Sequence, residues 1–136
     1  LSLRRQRQMC IRDRTLSEPG IDLMILCLGA NDMLRGINPK ETKNNLEEII
    51  KIAKSKNIKV IIAGMIAPTS YGFEYKKSFD TIFSDLSNKY KLQLIPFLLE
   101  GVAQKPEFNL SDGMHPNDQG TIIISNTLKK AILKNL

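Results

Sequence analysis

The sequence is poor in cysteine and histidine, and it lacks any long apolar run. Its two cysteines, Cys10 and Cys27, form neither a CxxC motif nor a disulfide framework, so they predict no redox or disulfide-stabilised class. No apolar run reaches the roughly 18 residues of a membrane-spanning helix, so we expect no stable membrane insertion. The composition of the 136 residues, 42% apolar and 25% charged, is typical of one globular domain.

The positive charge of the chain is concentrated at its N-terminus. The net charge is +6, and residues 1–14 hold five arginines and one aspartate, a net of +4. Residues 15–136 carry 15 basic and 13 acidic side chains, a net of +2. Because this larger part is nearly neutral, its charge does not favour nucleic acid as a partner.

The basic N-terminal segment has three interpretations. It could be an arm that binds an anionic partner, a solvated tail, or a translated sequencing adapter. The third accounts for the sequence best, because residues 4–13 match one reading frame of a common transposon-type adapter codon by codon, and Arg14 continues it. We therefore expect residues 1–14 to be an artefactual tail and residues 15–136 to be the C-terminal portion of a single domain.

From Ile21 onward, short apolar runs alternate with amphipathic segments. The pattern predicts strands at 22–29, 58–66 and 92–97 and helices at 38–57, 75–90 and 117–135. Asn38 can cap the first of these helices, and Pro39 suits its first position. The alternation predicts an α/β fold with a parallel sheet. Functional residues of such sheets lie beyond the carboxyl ends of the strands, here in loops 29–37, 65–74 and 97–116.

The last of these loops contains the only histidine of the chain. In the stretch "SDGMHPNDQG", residues 111–120, Asp112 lies three residues before His115. A carboxylate bonded to an imidazole fixes its tautomer and stabilises its charged form, as a general base requires. The spacing alone is also compatible with a histidine on an ordinary surface turn.

The loop after the first predicted strand, "LGANDMLRG", offers Asn31 and Asp32. The Asn31 amide could bond its own turn or donate to a developing oxyanion. Asp32 could be catalytic, although we favour a role in holding the loop through backbone N–H groups. A metal site built from Asp32, Asp112 and His115 is the competing chemistry. The sequence shows none of the neighbours that identify such sites, so we expect neither a metal nor a cofactor.

Together these motifs resemble those of the SGNH (GDSL-type) hydrolases, in particular the thioesterase I, lysophospholipase and arylesterase branch. The resemblance extends over about residues 19–135. Five features occur in the order that the family shows: Gly29–Gly36, Pro68, Tyr71 with Gly72, Pro96 with Phe97, and Asp112–Pro116. One short motif would be weak evidence, whereas five in the same order are specific.

The resemblance implies a flavodoxin-like, three-layer α/β/α parallel sheet, of which this chain would contain the C-terminal three strands and their helices. It also implies a Ser-His-Asp mechanism with His115 as base and then acid, Asp112 as its orienting carboxylate and Asn31 as an oxyanion donor. Gly29 and Asp32 would shape the loop that carries Asn31. The implied substrate-pocket residues are Met33, Leu34, Pro68 and Tyr71.

The implied substrates are small-molecule acyl esters or thioesters, with lysophospholipids among the candidates, and the implied location is periplasmic or secreted. The first two motifs of the family, a turn with the nucleophilic serine and an oxyanion glycine, have no counterpart here. We therefore expect the nucleophile to be absent from this chain, which would be an inactive fragment of an esterase. The alternatives are a carbohydrate-acetyl esterase of the same superfamily and a non-catalytic flavodoxin-like binding domain.

Overall fold

The computed structural model describes residues 16–135, so the predicted tail at residues 1–14 lies outside the described residues. The elements are β1 (Leu23–Leu26), α1 (Ala30–Leu34), α2 (Pro39–Ser55), β2 (Lys59–Ala63), α3 (Phe73–Tyr90), β3 (Gln93–Ile95) and α4 (Asp118–Leu133). Two 3₁₀ turns lie at Thr69–Tyr71 and Pro106–Phe108. All six elements predicted from the sequence are present, whereas α1 occupies a stretch that the sequence analysis assigned to a loop.

The three strands form a parallel sheet in the order β1-β2-β3. Leu23 of β1 pairs with Lys59 of β2, and Ile61 of β2 pairs with Gln93 of β3. Each crossover between neighbouring strands contains a long helix, α2 or α3. The predicted α/β class with a parallel sheet is therefore confirmed.

Alternate residues of β2 enter two separate apolar cores. Val60 and Ile62 pack with α2 and α3, while Ile61 and Ala63 pack with Ala131 of α4. Successive side chains of a strand point to opposite faces of the sheet, so a strand covered on both faces needs an unbroken apolar run. Helices thus cover both faces, which confirms the predicted three-layer arrangement.

The long helix α2 begins where the sequence predicts. The Asn38 side chain accepts a hydrogen bond from the backbone N–H of Lys40 at 3.0 Å, and Pro39 is the first helical residue. The buried side chains of α2 are Thr42, Leu46, Ile49, Ile50 and Ala53. Within residues 16–135, no helix is long and apolar enough to cross a membrane.

Candidate active site

Asp112 and His115 face each other across a tight turn that precedes α4. His115 Nδ1 lies 2.6 Å from Asp112 Oδ2. The other carboxylate oxygen, Oδ1, accepts hydrogen bonds from the backbone N–H groups of Met114 at 2.9 Å and His115 at 3.0 Å. Gly113 supplies the left-handed backbone that the turn requires, with φ +68°. One carboxylate therefore orients the imidazole with one oxygen and folds the turn with the other.

These hydrogen bonds keep the Asp112 carboxylate charged. The backbone N–H of His115, the His115 ring and the backbone N–H of Met114, in that order, lower the pKa of Asp112 from 3.8 to about 2. The group is therefore ionised throughout the neutral range. A carboxylate in this state can stabilise an imidazolium that forms on the adjacent ring.

The hydrogen bond to Asp112 determines which ring nitrogen of His115 is available for chemistry. An ionised carboxylate only accepts hydrogen bonds, so Nδ1 carries the proton and Nε2 carries the lone pair of the neutral ring. Among the residues that the structure describes, Asp112 is the hydrogen-bond partner of the ring. The His115 side chain is 69% exposed, so Nε2 can accept a proton from an incoming hydroxyl group.

Asn31 lies in α1, just beyond the carboxyl end of β1. The preceding Gly29 has φ +119° and begins this short helix. A Cβ atom on Gly29 would lie 3.6 Å from both Phe83 Cζ and Thr42 Cγ2, so the backbone passes directly over the core between α2 and α3. Asn31 is exposed, whereas its neighbour Asp32 is buried. The turn thus presents an amide outward while its carboxylate faces the protein.

The buried Asp32 connects this turn to α2. Its Oδ2 accepts a hydrogen bond from the Thr42 hydroxyl at 3.2 Å. Its backbone carbonyl accepts hydrogen bonds from the N–H groups of Arg35 and Ile37. The Asp32 carboxylate thus ties the turn to α2 through a helix hydroxyl, and its predicted role in holding the loop through backbone N–H groups stays a prediction.

The predicted pocket residues lie on the first two loops. The Tyr71 hydroxyl donates a hydrogen bond to the Leu34 carbonyl at 3.2 Å, which brings the two loops together. Pro68 is exposed at the start of the 3₁₀ turn, and Met33 is half-buried against the core of α2 and α3. Leu34 is 48% exposed, so it is more accessible than the half-buried Met33.

Sequence reasoning missed Tyr75 as a partner of these loops. Its hydroxyl donates to the Ile37 carbonyl at 2.9 Å, and its ring stacks on that of Tyr71 at a centroid distance of 5.4 Å. Ring contacts continue from Tyr75 to Phe79 and from Phe79 to Phe83. The available signal was an aromatic residue at every fourth position of "YGFEYKKSFDTIF", a spacing that places rings on one face of a helix; α3 carries three of them, and the preceding 3₁₀ turn carries Tyr71.

The metal site considered from the sequence is not assembled. Within residues 16–135, no three histidine, cysteine, aspartate or glutamate side chains lie where they could hold a metal ion together. Asp32 faces Thr42 of α2, whereas Asp112 and His115 form a pair on the turn before α4. The described residues therefore provide an acid–histidine pair without a third metal ligand.

The fold and the site define a class: a three-layer α/β protein with an acid–histidine pair on a loop beyond the last described strand. The chain belongs to the GDSL-like lipase/acylhydrolase family, which it matches over residues 2–121. The resemblance to SGNH hydrolases predicted from its motifs is thereby confirmed.

Individual relatives agree with this family assignment. An arylesterase of Vibrio mimicus is 36% identical over 115 residues, which cover 85% of this chain and 58% of the arylesterase. The thioesterase 1/protease 1/lysophospholipase L1 of Escherichia coli K12 is 32% identical over 105 residues, covering 77% of this chain and 50% of the enzyme. The crystal structure of TesA has a TM-score of 0.82 at 26% identity, with 96% of this chain and 71% of that chain covered. The chain thus spans about half the length of the curated relatives it matches.

Proposed function

We propose that residues 16–135 provide the acid–base part of a hydrolase that acts on acyl esters and thioesters by a Ser-His-Asp mechanism. The observation that carries the proposal is the 2.6 Å contact between His115 Nδ1 and Asp112 Oδ2. This contact occurs in a chain of the acylhydrolase family, on a loop at which parallel α/β proteins carry their functional residues.

In this mechanism, His115 Nε2 removes the proton from a serine hydroxyl as the oxygen attacks the acyl carbon. The carbonyl oxygen becomes an oxyanion, to which the Asn31 amide donates a hydrogen bond. The tetrahedral intermediate then collapses, and the imidazolium gives its proton to the departing alcohol or thiol. A water molecule releases the acyl group as the free acid by the same steps.

The nucleophilic serine is proposed to lie outside residues 16–135. The curated relatives extend well beyond the matched region, since the match covers 58% of one and 50% of another. The His115 ring also bonds Asp112 alone among the described residues, which leaves Nε2 for a hydroxyl from elsewhere. We use the term complete enzyme for the polypeptide that carries residues 16–135 together with this serine.

The apolar surroundings of the site favour acyl chains as substrates. Most large apolar side chains that are exposed in the described residues follow the carboxyl ends of the three strands, in the loops or at the short helix and helix start beyond them: Leu28, Leu34, Ile66, Phe73, Leu110 and Met114. Ligand sites are lined mainly by apolar groups with a few polar groups that fix orientation. This arrangement supports an acyl substrate over the acetylated carbohydrates considered from the sequence, because an acetyl group offers little apolar surface.

Replacing Asn31 by alanine should lower kcat of the complete enzyme on the order of 10²–10³-fold with KM little changed, because one oxyanion donor is lost. Steady-state kinetics with p-nitrophenyl esters measure both constants. Asn44→Ala is the matched control, since Asn44 is exposed on α2. A change confined to KM would show instead that Asn31 binds the substrate and not the transition state.

Activity of the complete enzyme should survive EDTA. The described acid–histidine pair needs no metal for general base catalysis, and it has no third metal-binding partner within residues 16–135. Esterase activity is measured before and after incubation with the chelator. Inactivation that added Zn²⁺ or Mn²⁺ reverses would replace the triad with a metal-assisted mechanism.

A further inference from the structure

The acid–histidine pair is too exposed to be held in place by burial. The side chains of His115 and Asp112 are 69% and 42% exposed. A catalytic pair must nevertheless keep its position relative to the nucleophile, since a displacement of about 1 Å can cost on the order of 10²-fold in rate. The turn that carries the pair must therefore be fixed to the protein through its own backbone.

Two backbone segments meet at the base of this turn. The Leu110 N–H donates to the His115 carbonyl at 2.8 Å, and the Asn117 N–H donates to the Phe108 carbonyl at 3.0 Å. Asn109 and Pro116 lie opposite each other between these bonds as an antiparallel bridge. The position of residue 115 is thus coupled to that of residues 108–110.

Asn109 attaches the first of these segments to the loop after β3. Its side-chain amide donates hydrogen bonds to the carbonyls of Val102 and Lys105, each at 2.7 Å. An asparagine amide has two N–H donors, so its donor capacity is fully used. Asn109 is buried, whereas the residues from Leu110 to His115 are exposed. Asn109 is therefore the last residue before the exposed turn at 110–115 whose buried polar side chain attaches the backbone to the rest of the protein.

The second segment is held by the N-terminus of α4. Asn117 caps this helix by accepting from the Gly120 N–H at 3.0 Å. A Cβ atom on Gly120 would lie 2.2 Å from the Phe108 carbonyl oxygen and 3.1 Å from Val102 Cγ1. The helix therefore packs directly against the backbone that Asn109 anchors, and a shift of Asn109 is transmitted to the turn.

We infer that Asn109 is the positioning residue of the Asp112–His115 pair: its buried amide fixes the backbone that fixes the catalytic turn. The inference rests on the proposed function, because it assigns Asn109 to the same reaction. Asn109 acts through the Leu110–His115 hydrogen bond and contacts no reacting atom.

The test is Asn109→Ala in the complete enzyme, read out by kinetics and by proton NMR. We expect kcat to fall roughly tenfold to a hundredfold while KM stays within about twofold, because geometry and not binding is lost. We also expect loss of the downfield resonance of the His115 Nδ1–H, which His115→Ala identifies by removing it. Unchanged kcat together with an unchanged resonance would overturn the inference.

Asn135→Ala is the matched control for a general loss of stability. It also removes an amide, one that donates to the Ala131 carbonyl at 3.0 Å and to the Gln93 side chain, at the opposite end of α4. The melting temperature should fall, with kcat and the His115 resonance unchanged. If Asn135→Ala lowers kcat and the intensity of the His115 resonance as strongly as Asn109→Ala does, Asn109 has no special positioning role.

Asn109→Ser provides a second variant in case Asn109→Ala does not fold. It keeps one donor for the two carbonyls, so we expect intermediate losses of kcat and of the resonance. Wild-type values in this variant would also overturn the inference. Failure of the proposed function is distinguishable, because an active His115→Ala enzyme would refute the mechanism, while the resonance would still report whether Asn109 positions the ring.

Discussion

Replacement of His115 by alanine in the complete enzyme should abolish hydrolysis of p-nitrophenyl esters, with a loss in kcat on the order of 10⁴-fold or more. The three members of a Ser-His-Asp triad act as a unit, so removing the base costs nearly as much as removing all of them. The Asp112 carboxylate then has no imidazole to orient, and the serine hydroxyl keeps its proton. The measurement is kcat at neutral pH.

Ser111→Ala is the matched control for this experiment. Ser111 is exposed on the same loop, next to Asp112 in the sequence. It should retain activity, because the proposed nucleophile lies outside residues 16–135. A His115→Ala variant within about tenfold of wild type would contradict the base assignment. Loss of activity in Ser111→Ala would instead place the nucleophile on the described loop.

Residues 15–136 expressed alone should associate and show no esterase activity. Among the described strands, β1 lies at the end of the sheet, and three of its four residues are only half-buried. By contrast, every residue of β2 except Lys59 is buried, although both strands are apolar on both faces. An exposed apolar edge pairs readily with a second copy. Size-exclusion chromatography with light scattering measures the association.

A charged residue on this edge tests the cause of the association. Leu23→Lys places a charge on β1 and should shift the population toward monomer. Leu133→Lys is the matched control, because Leu133 is exposed at the end of α4 and the substitution adds the same charge elsewhere. A monodisperse, cooperatively melting monomer of unsubstituted residues 15–136 would contradict the prediction. An equal decrease of association in Leu23→Lys and Leu133→Lys would contradict it as well.

The parts of the fold that sequence reasoning located are those with strong local signals. The run around β2 is apolar on both faces because helices cover both faces, and its length limits it to a strand. The start of α2 could be predicted from the sequence because Asn38 caps the helix and Pro39 suits its first position. The Asp112–His115 pair could be predicted because the two residues are only three positions apart. The glycine turn between them brings the His115 ring back to the Asp112 carboxylate.

The parts that sequence reasoning missed depend on distant contacts. The five residues of α1 are too few to show a helical period, and the helix begins at a glycine packed over Phe83. Asn109 looks like any turn asparagine in the sequence, because only the folded loop brings the Val102 and Lys105 carbonyls to its amide. The role of Tyr75 was hidden for the same reason, since its hydroxyl bonds a loop 38 residues away.

The two halves of the candidate site are attached to opposite sides of the sheet. The turn that carries Asn31 packs against the core of α2 and α3, where Ile62 is buried. The turn that carries His115 leads into α4, which packs on the face where Ile61 is buried. The distance between the Asn31 amide and the His115 imidazole therefore depends on how far apart the two apolar cores on opposite faces of the sheet hold these turns. We therefore expect changes in the volume of Ile61 or Ile62, which lie inside the sheet, to alter kcat of the complete enzyme by changing that distance.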